Sequence, residues 1–517
     1  MSPQYLSPGV YVEEVEKGAR PIEGVGTAVA AFVGFTERGP VNQPTFVANW
    51  TQFINTFGGF IPGGYLAHGV YGYFNNGGGS CYVTRLPGAE GEAEVPTALA
   101  SLPARAQPSI ESLVITALEP GVPAGEITVE VAPPSEEGAP EDQFTLIINR
   151  GGTQELFENV TLRKAKGARN VVEVVNKESK LVQVAEKEST LNLTERVPAP
   201  GTYPLAAAPT TAVVAVTPEI IVGDAAARSG VAGFEAAEDV TMVCCPDLMA
   251  LYQAGNLSME GVKAVQQAML DHCANMKDRF AILDCPPGMT PQQIKDWRME
   301  EMGYDSKYGA LYYPWIKVAN VSGNGETVLV PPSGHMAGIY ARSDTERGVH
   351  KAPANEVVRG ALGLETKITK SEQDSLNPVG INCIRPFAGR GIRVWGARTL
   401  SSDALWRYIN VRRLFNFIEE SIELGTQWVV FEPNDLDLWE RIKRDIRAFL
   451  TRVWRDGALF GATPDEAFYV KCDEELNTVE IRDAGQVIVE IGLAPVKPAE
   501  FVIFRISQWA GGGAVAE

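Results

Sequence analysis

The chain has 517 residues, 45% of them hydrophobic, and its 45 basic and 64 acidic side chains give a formal charge of −19. That length is too great for one core and asks for about two to four domains. The acidic balance argues against nucleic acid or an anionic membrane as the main partner, and no apolar stretch approaches the ~20 residues that span a bilayer.

In chain order, residues 7–15 (SPGVYVEEV) read as a β-strand with no local partner, carried by Val10, Tyr11, Val12 and Val15. No basic run followed by an apolar core precedes it, so no secretory signal is visible. Residues 27–35 (TAVAAFVGF) form a buried-type strand. Helices are expected near 50–57 and 65–75, then a turn at Gly77-Gly78-Gly79 and a strand over 80–85.

From Leu86 to about Ala215 the chain is punctuated by Pro and Gly. Short strand-like runs at 127–131, 144–149, 171–175 and 180–184 suggest an all-β domain inserted into another fold. Strand–helix alternation then resumes: a strand at 239–245, a helix at 258–276, a strand at 279–285, a helix opened by Thr290-Pro291, and a strand at 310–318. Residues 320–378 read as loop-rich. Ser401-Ser402-Asp403 is expected to cap a helix running to about Leu424, with Gly425 at its end. A second helix spans about 434–456. It gathers Trp439, Ile442, Ile446, Phe449, Leu450 and Val453 on one face, with Arg441, Arg444, Arg452 and Arg455 roughly opposite. The tail beyond Val479 is strand-rich and closes with Phe501, Val502, Ile503, Phe504 and Ile506, apolar on both faces. Two unpaired strand-like ends are an aggregation hazard unless neighbouring copies take them up by β-augmentation.

Catalytic signatures were sought along the same path. The seven cysteines, Cys81, Cys244, Cys245, Cys273, Cys285, Cys383 and Cys472, include no CxxC pair and read as buried thiols of a reducing compartment. Residues 389–396 (GRGIRVWG) lack GxGxxG spacing, and no GxxxxGK[ST] loop occurs. The histidines His68, His272, His335 and His350 are not paired at ligand spacing, so no metal or cofactor is expected. Asp284-Cys285-Pro286-Pro287-Gly288, at a strand end, is the one place where an α/β enzyme would put a nucleophile. It keeps open an alternative reading as a cytosolic α/β enzyme with an inserted β domain.

Three blocks resemble the sheath proteins of contractile phage tails and extracellular contractile injection systems. They are YLSPGVYVEEV with AFVGFTERGP near the start, PPSGHMAGIYARSDTERGVHKAPAN at 331–355, and LNPVGINCIRPFAGRGIRVWGARTLSSDALWRYINVRRLFNFIEESI at 376–422. The resemblance covers residues 1–85 and about 235–510. It implies a non-enzymatic structural subunit that stacks as hexameric rings around an inner tube and contracts to drive the tube through a target envelope. Its partners would be other copies, the inner tube, a baseplate and a terminal cap, assembled in a bacterial cytoplasm as part of a phage tail-like particle. No nucleic acid or membrane insertion is implied. The expected fold is a mixed α/β multi-domain core with an inserted all-β domain and extended terminal arms. Its parts are an N-terminal arm (1–20), a central domain (21–85 and 216–375), the outer insertion (86–215), an inner C-terminal domain (376–499) and a C-terminal arm (500–517). The terminal arms would pair between subunits, and the arginine stripe would hold the inner tube.

Overall fold

The computed structural model describes residues 21–87, 98–206, 216–320 and 326–506, except 109, 119–121, 123, 124, 137, 166, 167, 188 and 190. The chain divides into two compact units, residues 1–87 with 216–517, and residues 88–215.

The first unit is built on an eight-stranded sheet. Its order is Gly391–Val394, Ile381–Phe387, Gly309–Tyr313, Phe280–Asp284, Met242–Cys244, Ala30–Gly34, Cys81–Arg85, Thr45–Val47. The six inner strands are parallel and the two edge strands antiparallel. Ala30–Gly34, Phe280–Asp284 and Gly309–Tyr313 are buried at every residue, as strands covered on both faces require. Ile381–Phe387 and Gly391–Val394 belong to this sheet, so it continues past residue 376, where sequence analysis starts the C-terminal domain.

A second core lies in the same unit. The helices Ile409–Gly425 and Leu436–Arg455 bury Leu414, Ile418, Trp439, Ile446, Phe449 and Leu450 against one another and against Ile22. A two-stranded antiparallel sheet, Phe468–Lys471 with Glu490–Leu493, packs on the second helix. Among the described residues no helix is long and apolar enough to cross a membrane.

Four expectations are corrected. Residues 333–347 form a fifteen-residue helix, Ser333–Arg347, inside the stretch read as loop-rich. It is buried at every residue from Ser333 to Ser343, with Gly, His335 and Arg342 among them, so it shows no apolar stripe. A Cβ at Gly334 would collide with the Gly69 backbone and one at Gly338 with the Tyr73 carbonyl, so the helix lies directly on Leu66–Asn76. Ser401-Ser402-Asp403 does not cap a helix. Thr399 and Arg407 close a loop by a 2.8 Å backbone hydrogen bond, and the helix begins only at Ile409. The strand expected over 310–318 is two strands, Gly309–Tyr313 and Ile316–Ala319, parted at Pro314. The tail run opening at Val479 is first a short helix, Val479–Asp483.

The second unit holds two antiparallel sheets. One has the order Gly201–Pro204, Ile127–Ala132, Gln143–Arg150, Thr153–Thr161, the other Leu99–Pro103, Glu111–Ala117, Val182–Glu186. The run at 171–175 is helical, Val171–Glu178, so this unit is β-rich rather than all-β. Asn170 decides it: its side chain accepts the amides of Val172 and Glu173, which favours a helix start over an extended chain of valines.

Asp284 gives the first testable expectation. Its carboxyl is buried at the end of Phe280–Asp284 and accepts the Ser333 amide at 2.8 Å and hydroxyl at 2.5 Å. Burial pushes it up to about 7, against the opposing pull of those two bonds. The folded chain therefore keeps a proton that the unfolded chain releases in the ordinary carboxylate range. This contribution to stability is present at acid pH and is lost as pH rises through about 7. The urea midpoint should fall as pH rises from about 4 to about 7 and level off above that, and Asp284→Asn should flatten the fall. Equal slopes in both proteins would contradict the assignment.

Candidate assembly surfaces

The strand end at Asp284-Cys285 is closed. Cys285 is fully buried, burial raises its thiol well above the ordinary range, and its carbonyl accepts Trp315 Nε1 at 2.8 Å. Asp284 is engaged by Ser333, not by a histidine. The surfaces that remain open lie around the C-terminal core.

Phe501, Val502, Ile503, Phe504 and Ile506 are 68–95% exposed and form no strand within the chain. Their root is fixed at Glu500. Its carboxylate accepts Arg398 Nε at 2.9 Å and Nη2 at 2.8 Å, Asn377 Nδ2 at 2.6 Å and the Tyr408 hydroxyl at 2.9 Å. Burial works against the charge, but these donors outweigh it and hold the carboxyl below its usual value. Sequence reasoning missed this cluster, because Asn377, Arg398, Tyr408 and Glu500 share no local spacing. Each strand of the sheet Phe468–Lys471 and Glu490–Leu493 pairs with one neighbour among the described residues, leaving two open edges for an added strand.

Val10, Tyr11, Val12 and Val15 lie outside the described residues. The segment that follows them is well held. Ile22 is buried in the C-terminal core, the Val25 amide donates to Ser421 Oγ at 3.1 Å, and Thr27 Oγ1 donates to Asp344 at 2.7 Å. Both terminal segments are thus rooted on the unit that carries the open-edged sheet.

The helix Leu436–Arg455 starts at Asp435, whose side chain accepts the Leu438 amide, and places Arg452 and Arg455 in its last turn, where cations favour the dipole. The expected stripe is present but unequal. Arg441 lies 4.6 Å over the Trp428 ring and 3.7 Å from Glu432. Arg444 pairs with Asp445 at 3.0 Å, and Arg452 donates to the Ile22 carbonyl. Arg455 is exposed.

Comparison with known proteins agrees with the sheath resemblance of the sequence blocks. The profile described as the phage tail sheath protein central domain matches residues 222–400, and the phage tail sheath C-terminal domain matches 401–508. The tail sheath protein of Vibrio phage KVP40 is 27% identical over 278 residues, 48% of this chain and 40% of that protein. A putative prophage major tail sheath protein of Pseudomonas aeruginosa strain UCBPP-PA14 is 25% identical over 311 residues, 54% of this chain and 76% of that one. The matched stretch therefore spans less than half of the Vibrio phage relative. Among solved structures, the anti-feeding prophage helical sheath in its contracted state aligns with a TM-score of 0.57 at 25% identity, over 98% of this chain and 99% of that one. The sheath complex of the PVC extracellular contractile injection system, also contracted, aligns with a TM-score of 0.59 at 24% identity over the same shares.

Proposed function

We propose, from the premise that this chain belongs to the phage tail sheath family, that it is the structural subunit of a contractile sheath. Copies would stack as hexameric rings around an inner tube, join a baseplate and a terminal cap, and shorten on triggering to drive the tube through a target envelope. The role is mechanical and not catalytic. Work comes from the difference in packing between extended and contracted assemblies. Assembly in a bacterial cytoplasm and release as a phage tail-like particle are part of this reading.

One observation carries it. Five apolar side chains stand exposed on a segment rooted at Glu500, in the unit that also carries a sheet with two open edges. Strand addition between copies satisfies both, and Val10, Tyr11, Val12 and Val15 are proposed to join the same sheet. The unit 88–215 is proposed to lie on the outer surface. The C-terminal core, residues 409–499, is the proposed inner part, facing the tube.

Sedimentation and negative-stain microscopy of the purified full chain test this reading. Long tubes or stacked rings are expected; a discrete small oligomer at every concentration would contradict it.

The arginine stripe is the proposed tube contact. Ion pairs on an exposed surface contribute only ~0–1 kcal/mol each, which suits a contact that must release. Arg441, Arg444 and Arg452 are already engaged within the chain, so Arg455 offers the most available charge. Arg455→Glu should leave the fold intact and yield more empty sheaths, with retention of the inner tube reduced roughly severalfold and more salt-sensitive. Tube-filled particles at wild-type yield in both low and high salt would contradict it.

A further inference from the structure

Phe431 stands wholly outside the fold, at 102% relative exposure, in the turn between Ile409–Gly425 and Leu436–Arg455. Its φ is +67°, in the left-handed region that a bulky residue enters only where its turn dictates it. The turn is built: the Val429 amide donates to the Thr426 carbonyl at 2.9 Å, and the Glu432 amide to the Val429 carbonyl at 3.1 Å. Arg441 braces it through Glu432 and Trp428. Val430 and Leu436 are exposed as well, and so are Glu432, Asp435 and Asp437, all within six residues of it along the chain. The result is a fixed apolar knob with carboxylates near it in the chain.

A cavity of about 620 Å³ lies toward the other end of the helix Leu436–Arg455. Leu414, Phe417, Phe449 and Val453 give it apolar walls. Arg347, the exposed last residue of Ser333–Arg347, stands at its rim with Arg452 and Asp456. From Leu436 to Val453 the helix rises roughly 25 Å, so the knob is out of reach of its own chain's cavity.

We propose that Phe431 of one copy enters this cavity on a second copy, with the carboxylates near it against Arg347 of that copy. Apolar knob meets apolar walls, and the carboxylates near the knob meet the exposed Arg347, which shares the rim with Arg452 and Asp456. Knob and cavity are different surfaces, so each copy can give one and receive one, and the contact extends beyond a pair into a ring or a helix. The inference rests on the self-assembly reading above and names a contact within it.

Cysteine cross-linking tests it on the full chain, because all seven native cysteines are buried. Val430→Cys with Asp456→Cys leaves Phe431 and Arg347 in place and puts a thiol at the knob and another at the cavity. Mild oxidation of assembled protein should give a ladder of covalent multimers, with each single variant staying monomeric. If the double variant does not assemble, an equimolar mixture of the two single variants should give covalent dimers. Phe431→Ala should raise the concentration needed for assembly at least tenfold with an unchanged circular dichroism spectrum. Assembled particles in which the double variant stays monomeric or stops at dimers overturn the contact and leave the sheath reading standing. So does Val430→Cys cross-linking by itself, or Phe431→Ala assembling like the wild type, with or without its inner tube. A wild-type chain that never assembles overturns both.

Discussion

Removing residues 501–517 is expected to leave a folded subunit that no longer forms long assemblies. Among the described residues, 501–506 form no strand, and their five apolar side chains are 68–95% exposed. Burying each in a neighbour's sheet is worth ~1.5–3 kcal/mol, on the order of 7–15 kcal/mol together before costs. Ordering and association take back much of that. A net loss of only ~3 kcal/mol would still raise the concentration needed for assembly about 100-fold. The truncation keeps Glu500 and its bonds to Arg398, Asn377 and Tyr408, so the body should be unaffected. Sedimentation and circular dichroism on the same samples check both halves. Tubes of wild-type length from the truncated chain would refute the expectation, and Phe501→Ser with Phe504→Ser should give the same defect more weakly.

Asp344→Ala is expected to be the most destabilising single change. Arg413 and Asp344 are each only 4% exposed and meet at 2.6 Å. Arg413 also donates to the Thr27 carbonyl at 2.8 Å and lies 4.9 Å from the Tyr340 ring, while Thr27 Oγ1 donates to Asp344. Truncating the carboxylate leaves a buried guanidinium without its charge partner, a change that costs ~3–5 kcal/mol. The measurement is the urea midpoint with the slope held constant. A shift equivalent to less than ~1 kcal/mol would show the pair to be solvated. Because Thr27 is the third member, the change also loosens the segment that leads to Val10–Val15. Assembly should therefore weaken in Asp344→Ala even under conditions where the body is fully folded.

Much of this was legible in the sequence wherever side chains carried the pattern. Ala30–Gly34 and Phe280–Asp284 are continuous apolar runs and are buried throughout. Leu436–Arg455 was readable because Ile, Phe and Leu recur against Arg at helical spacing. The pattern failed where backbone packing decides. Ser333–Arg347 sits so close to Leu66–Asn76 that no Cβ fits at Gly334 or Gly338, and a helix holding those glycines with buried His335 and Arg342 has no apolar stripe to read. Val171–Glu178 has the composition of a strand, and the cap at Asn170 is the signal that could have corrected it.

The assembly surfaces divide in the same way. The apolar run at 501–506 was visible because both its faces are apolar. Its anchor at Glu500 was not, since that anchor gathers groups from four separate parts of the chain. The unequal stripe was equally hidden: nothing local shows that Arg452 reaches the Ile22 carbonyl. Phe431 sits within an apolar run, WVVF, that reads as interior. The following Glu432-Pro433-Asn434-Asp435 is the turn signal that could have placed it at the surface.

The most direct test of strand exchange between copies is a helical reconstruction, by electron cryomicroscopy, of the particle this chain forms. Residues 501–506 of each subunit should appear as a strand hydrogen-bonded to the Phe468–Lys471 and Glu490–Leu493 sheet of another subunit. A particle in which that segment folds back onto its own body, or in which the sheet remains two-stranded, would contradict the account.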